Sequence, residues 1–244
     1  MMNYFIYNGI SSLDMGIRIQ SKDIFSTPKR DIKFKSINGR NGDLILSNNR
    51  YENVDVSYTV FVVAKSITEL ADKVTKIKQW LYSSTDSYAR LEDSYDSKFY
   101  RKAVFYKALD IEDELSKVGV FTINFNCKPF KYDKIGDEEI TINTSNPNIN
   151  NPYAFESTPY IKLYGNGDCT IMLTNSKGTK IWNFKNVDDY IEIDSEMMSF
   201  YKGHENKNST VTGDGFPVLF SGESSFIISD TVNRLIVIPR WCSL

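Results

Sequence analysis

Apolar residues occupy every second position from Val54 through Val56, Tyr58 and Val60 to Val62, with Asp55, Ser57 and Thr59 between them. A period of two predicts a strand, because successive side chains leave opposite faces of an extended chain. Phe61 and Val63 make the second face apolar too, which predicts deep burial at the end of that strand. The period then changes. Ile67, Leu70, Ala71, Val74, Ile77 and Leu81 recur at helical spacing, so 66–82 is expected to be a helix. Ser66 with Glu69 matches a capping box at its start. Alternation resumes at 87–93 and 99–106, and most cleanly at 118–127. There Phe121, Ile123, Phe125 and Cys127 face one way, and Thr122, Asn124 and Asn126 the other.

Upstream of the long strand the pattern is broken by turns. Asn8-Gly9 and Leu13-Asp14-Met15-Gly16-Ile17 predict strand, turn and strand. Ile32-Lys33-Phe34-Lys35 alternates, and Leu44-Ile45-Leu46 does so more weakly. Between them lie Asn38, Gly39, Arg40, Asn41, Gly42 and Asp43. Two Asn-Gly pairs so close together predict positive-φ turns at the tip of a hairpin. Residues 28–52 are therefore expected to form a protruding arm.

Near residue 133 the composition shifts to Gly136-Asp137-Glu138-Glu139 and then to Asn143, Asn146, Asn148, Asn150 and Asn151 with Pro147 and Pro152. This turn-prone stretch has room for a short strand at Glu139–Ile142 and marks a boundary. It predicts an N-terminal domain at 1–135, a linker at 136–152 and a C-terminal domain at 153–244. The C-terminal domain reads as short strands near 160–164, 169–173, 180–184, 190–194, 197–201, 218–220, 224–228 and 235–239, with no helical period. The expected fold is mainly β: a β-sandwich-like first domain with one helix and a hairpin arm, then an antiparallel sandwich or jelly roll.

Composition adds exclusions. With 244 residues, 41% hydrophobic and 25% charged, the chain can bury two cores and is not disordered. A net charge of -2 without a Lys/Arg-rich stretch offers no footprint for gripping nucleic acid. Its longest apolar runs, such as Val60-Phe61-Val62-Val63-Ala64, fall far short of the ~20 residues of a membrane helix. The start, Met1-Met2-Asn3-Tyr4-Phe5, does not read as a secretory signal. Three cysteines, Cys127, Cys169 and Cys242, fit no zinc or redox spacing; Cys127, in phase with Phe121, Ile123 and Phe125, reads as a buried free thiol, and the expected compartment is a reducing cytoplasm.

Candidate chemistry is sparse. Adjacent carboxylates occur at Glu92-Asp93, Glu112-Asp113-Glu114, Glu138-Glu139 and Asp188-Asp189, but neighbours on a strand point apart and make no acid–base dyad. His204, the single histidine, sits in a polar turn-like stretch and has no nucleophile signature beside it. Gly213-Asp214-Gly215 lacks the spacing and the lysine of a phosphate-binding loop. No catalytic residue, cofactor or metal is expected. Trp80 lies near the helix's apolar stripe and is expected in the core. Trp182 and Trp241 could stack on sugars, or could mark packing or partner contact.

Taken in order, several segments resemble one family, the distal tail protein (Dit) of long-tailed bacteriophages. They are Tyr7-Asn8-Gly9-Ile10-Ser11-Ser12-Leu13-Asp14-Met15-Gly16-Ile17; Asn38-Gly39-Arg40-Asn41-Gly42-Asp43-Leu44, where Asn38 and Asn41 replace a proline and an aspartate; Trp80-Leu81 with Arg90-Leu91-Glu92-Asp93 and Tyr100-Arg101; and Phe125-Asn126-Cys127-Lys128-Pro129. Later segments are Pro159-Tyr160-Ile161-Lys162-Leu163-Tyr164-Gly165-Asn166-Gly167, Asp189-Tyr190-Ile191-Glu192-Ile193-Asp194-Ser195-Glu196 and Ile238-Pro239-Arg240-Trp241. The resemblance implies a virion structural protein at the tail tip, assembled in the bacterial host cytoplasm. Its N-terminal domain would build a hexameric ring, its arm would reach the next subunit, and its C-terminal domain would be a galectin-like sandwich. Implied partners are other copies, the tail tube protein and a tail-associated lysin or fibre protein. The segment 38–43 becomes the expected ring interface; without the resemblance, an ordinary mobile hairpin would account for it. Some members carry inserted carbohydrate-binding modules, for which 244 residues leave no room. Two other functions stay open: recognition of the host envelope as a carbohydrate by the C-terminal sandwich, through Trp182 or Trp241, and cell-wall hydrolysis.

Overall fold

The alternating segments become the strands of a computed structural model that describes residues 3–84, 86–114 and 117–244. Two units result, Met1–Lys131 with Leu244, and Tyr132–Ser243. The first contains β1 (Phe5–Tyr7), β2 (Ile10–Ser11), β3 (Ile17–Asp23), β4 (Arg30–Lys35), β5 (Leu44–Tyr51), β6 (Val54–Val63), helix α1 (Ile67–Leu81), β7 (Ala89–Asp93), β8 (Phe99–Phe105), β9 (Glu112–Glu114) and most of β10 (Val118–Asp133). Its main sheet runs β2-β1-β7-β8-β10-β6-β3.

The two strongest sequence patterns pair with each other. β10 runs antiparallel to β6, setting Phe121 opposite Val60, Ile123 opposite Tyr58, Phe125 opposite Val56 and Cys127 opposite Val54. All eight are buried. Phe5 lies 4.4 Å from Tyr58, centroid to centroid, and 5.7 Å from Trp80, so aromatic packing joins the sheet to the helix. The Trp80 indole donates to the Tyr7 carbonyl at 3.0 Å, which satisfies its one polar atom in the core. Val63 departs from expectation at 53% exposed. The long strand is buried on one face to its end but not on both.

α1 begins as its sequence predicts, with one difference. The Ser66 hydroxyl accepts from the Glu69 N–H, but the Glu69 carboxylate accepts from Lys65 rather than from Ser66 itself. Two N–H groups at the helix start are still satisfied, which is what the capping box achieves.

The second unit contains β11 (Ile140–Ile142), β12 (Asn148–Asn151), β13 (Tyr160–Gly165), β14 (Gly167–Asn175), β15 (Gly178–Val187), β16 (Tyr190–Asp194), β17 (Ser199–Lys202), β18 (Glu205–Asn206), β19 (Val211–Gly213), β20 (Gly222–Ile228), β21 (Val232–Ile238) and β22 (Cys242–Ser243). One antiparallel sheet runs β11-β21-β13-β16-β17-β18 and the other β12-β20-β14-β15-β19. Ile161, Leu163 and Ile193 from the first sheet share a core with Ile171, Leu173, Trp182 and Phe226 from the second. The unit is thus an antiparallel sandwich.

Residues 136–152, expected to be a linker, are built into this unit. β11 pairs with β21 and β12 with β20, each at the edge of one sheet. Ile142, Ile149 and Asn151 are buried, and the Asn151 amide donates to the carbonyls of Phe155 and Leu219. The sequence left room for a strand at 139–142, but composition hid β12 and the pairing of both, because an edge strand needs few core residues. The strand expected near 218–220 is a single bridge between Ser157 and Leu219.

Two predictions follow from this packing. All three cysteines are free and buried. Burial pushes the thiols of Cys127 and Cys242 up to about 12. A colorimetric thiol reagent at neutral pH should therefore find no fast-reacting thiol in the folded protein and three after denaturation. A fast-reacting cysteine in the folded state would contradict the packing.

The second prediction concerns the turn after β16. Asp194 accepts from the N–H groups of Glu196 and Met197, both at 3.0 Å, and from both terminal nitrogens of Arg240 at 2.8 and 3.0 Å. Burial pushes its carboxyl up, but Arg240 and the two N–H groups outweigh burial, so it titrates below its ordinary 3.8. Such a depressed carboxylate stabilises the fold above its unfolded value, and that contribution is lost as pH falls through the folded one. Urea melts from about pH 6 down to about pH 2 should show the second unit weakening below about pH 4. Asp194→Asn should flatten that fall. An unchanged acid slope in the variant would remove Asp194 from the account.

Candidate interface hairpin

β4 and β5 pair with each other as a two-stranded sheet, outside the larger sheets. In register, Ile32 lies opposite Ser47, Lys33 opposite Leu46, Phe34 opposite Ile45 and Lys35 opposite Leu44. Alternation then puts Ile32, Phe34 and Ile45 on one face, and Lys33, Lys35, Leu44 and Leu46 on the other. Every residue from 33 to 50 is exposed. Phe34 is 62% exposed, Ile45 60% and Leu46 46%. A two-stranded ribbon is marginal in water, and clustered exposed apolar side chains mark a surface that meets something else.

The tip matches its sequence. Gly39 and Gly42 have φ of +79° and +84°, as the two Asn-Gly pairs predict. At the root the chain is fixed in place. Asn48 and Arg50 both bond the Asp31 carboxylate, at 2.9 and 2.8 Å. Asn49 takes a φ of +53° where the register shifts between Arg30 and Ile32. Tyr51 packs edge-on against Phe130 at 5.6 Å. The root is ordered by polar bonds and one aromatic contact, while the blade carries uncovered apolar groups.

The blade is also basic. Within 30–51 stand Arg30, Lys33, Lys35, Arg40 and Arg50 against Asp31 and Asp43, in a chain of net charge -2. The remainder of the chain is therefore acidic.

The sequence pointed to 38–43, which the structure places at the tip. It did not single out Phe34 and Ile45 behind the tip as contact residues. The available signal was a short ribbon with apolar residues on both faces.

The other candidates fall elsewhere. Trp182 and Trp241 are buried at 1% and 5% exposure, within the sandwich core. The Trp182 indole donates to the Gly215 carbonyl at 2.8 Å. A sugar needs an exposed ring face, and neither residue offers one, so the tryptophan platform is corrected to core packing. His204 lies in an exposed turn. Glu92 pairs with Arg90 and Asp93 with Lys22, so these adjacent carboxylates serve separate partners. The side chains of Glu112, Asp113 and Glu114 lie outside the described residues. Gly213 sits in β19, where an added Cβ would come within 2.4 Å of the Trp182 ring.

Residues 9–127 match the family model described as the phage tail protein RIFT-related domain. The match covers just under half of the chain. Among solved structures, the Dit protein of phage SPP1, described as a paradigm of the hub adsorption apparatus in phages that infect Gram-positive bacteria, matches over 100% of both chains at 12% identity with a TM-score of 0.76. A chain of the phage P2 baseplate in its activated conformation with calcium matches at 12% identity and a TM-score of 0.52, over 97% of this chain and 98% of that one. The same baseplate with strontium gives 10% identity and 0.51, over 97% of each. No curated protein sequence matches the chain. The mainly β architecture is thus the Dit fold from end to end. Within the RIFT-related domain the hairpin is an excursion between β3 and β6, two strands that pair directly with each other. The sheet is continuous without it.

Proposed function

We propose that this protein is a non-enzymatic structural hub of a phage tail tip, in which copies join into a hexameric ring through the 30–51 hairpin. The observation that carries this reading is the hairpin itself: exposed from 33 to 50, apolar on both faces, and borne on a Dit fold. A closed ring uses heterologous contacts, in which one surface meets a different surface on the next copy. An exposed ribbon supplies one half of such a contact. The free edges of β3 and β2 offer a neighbour main-chain groups to pair with.

In this reading the ring joins the tail tube protein to a tail-associated lysin or fibre protein that meets the host. Its place is the tail tip of the virion. The sandwich of the second unit is the galectin-like domain, turned toward the tail's surroundings. Support comes from the phage tail domain at 9–127 and from the hub role described for the SPP1 protein. Light scattering and negative-stain microscopy of the purified protein test it. Rings with a mass of six copies of 28.0 kDa are expected. Monomers at high concentration, with no ring when tail proteins are added, would sink it.

A further inference from the structure

The two outer faces of the sandwich differ in chemistry. On the five-stranded sheet, Met172, Thr174, Ile181, Asn183 and Ile227 point outward, and the charged Lys185 and Glu223 lie near the ends of their strands. On the six-stranded sheet, cations stand beside tyrosines, with Glu192 directly opposite Lys162. Arg234, Tyr164 and Tyr190 stand directly opposite one another on β21, β13 and β16. The Arg234 guanidinium lies 4.5 Å from the Tyr164 ring. The Lys162 ammonium lies 5.2 Å from Tyr164 and 4.0 Å from Tyr190. Lys202, on β17, lies 5.3 Å from Tyr190 on that ring's far strand neighbour. The result is a row of cations held against aromatic rings across four adjacent strands.

The row opens into a groove of about 450 Å³ lined by Lys185, Asp188, Tyr190, Lys202, Glu205 and Lys207. Lys202 pairs with Asp188 and Lys207 with Glu205. The carboxylates remain open to solvent, Asp188 at 90% and Glu205 at 69%. We propose that this row and groove bind an acidic, hydroxyl-rich polymer, an anionic glycan or a polyol phosphate. The cations receive its acidic groups, and the open carboxylates accept its hydroxyl hydrogens. Four strands at about 4.8 Å spacing make a track of roughly 15 Å, too long for a single sugar.

Nucleic acid fits less well. Its backbone offers the carboxylates few hydroxyl donors. Its bases need free ring faces, and cations already lie against Tyr164 and Tyr190. Each exposed charge contact is weak by itself, so one copy binds weakly and an assembly gains by avidity. The avidity rests on the proposed ring; the site does not, because its residues all belong to one chain.

Calorimetric titration of the full chain tests it with three probes: a polyglycerol phosphate oligomer, a neutral oligosaccharide of similar length and a single-stranded oligonucleotide of equal charge. The polyglycerol phosphate is expected to bind, more weakly as salt rises. The other two should bind at least about tenfold more weakly. Lys185→Glu, at an exposed position, and Lys162→Ala, checked by melting for an intact fold, should each weaken polyglycerol phosphate about tenfold. No binding at millimolar ligand, equal binding of the oligonucleotide, or full affinity in both variants would overturn the proposal. Light scattering on the same samples reports ring formation separately, so a failed ring and a failed site are told apart.

Discussion

Phe34→Glu combined with Ile45→Glu should leave a protein that folds with unchanged thermal stability and no longer assembles. Both side chains are mostly in water in the single chain, at 62% and 60% exposure, so their loss removes little from its core. In an interface the balance reverses. Burying a Phe or Ile side chain contributes about 1.5–3 kcal/mol, and a buried unpaired carboxylate costs more than that. Together the two changes are worth at least about 3–6 kcal/mol per contact, or roughly two to four decades in the dissociation constant. Light scattering reads the assembly, and thermal melting confirms the fold. Changes at Asn38 or Asn41 in the tip should have smaller effects, because those side chains bury little apolar area. Rings that survive the double substitution would place the contact elsewhere.

Trp182→Ala should cost the second unit about 3–5 kcal/mol, a large share of the roughly 5–15 kcal/mol that holds a domain folded. The indole is 1% exposed, packed among both sheets, and bonded through its N–H to Gly215. Removing it leaves a cavity and strands that carbonyl. Gly213→Ala should push against the same ring, since its new carbon would lie 2.4 Å from the indole and 2.8 Å from the Ile181 carbonyl. The backbone cannot yield cheaply there, so a loss of about 1–3 kcal/mol is expected. Denaturant melts measure both. A Trp182→Ala protein within about 1 kcal/mol of the parent would mean the ring is not the keystone its burial indicates.

Local chemistry was legible in the residues. The alternation from Val54 to Val62 and from Phe121 to Cys127 marked two strands and their inner faces, because period two is set by the backbone itself. The helix at Ile67–Leu81 and its serine cap were equally plain. So were the turns at Gly39 and Gly42, since Asn-Gly pairs suit positive φ.

What escaped the sequence was what lies against each face. Alternation says that two faces differ, not which one is covered, so Trp182 had no readable facing and Val63 was expected inside. The 136–152 stretch looked like a linker because its partners, β20 and β21, lie far along the chain. Phe34 and Ile45 looked like ordinary strand residues until the structure showed both side chains exposed. The cation row exists because register sets Arg234, Tyr164 and Tyr190 side by side from three distant segments. By itself, then, the sequence determined the periods, the turns and the caps, each an effect within a few residues. Facing, exposure and the two candidate surfaces depend on long-range pairing, and only the tertiary structure decided them.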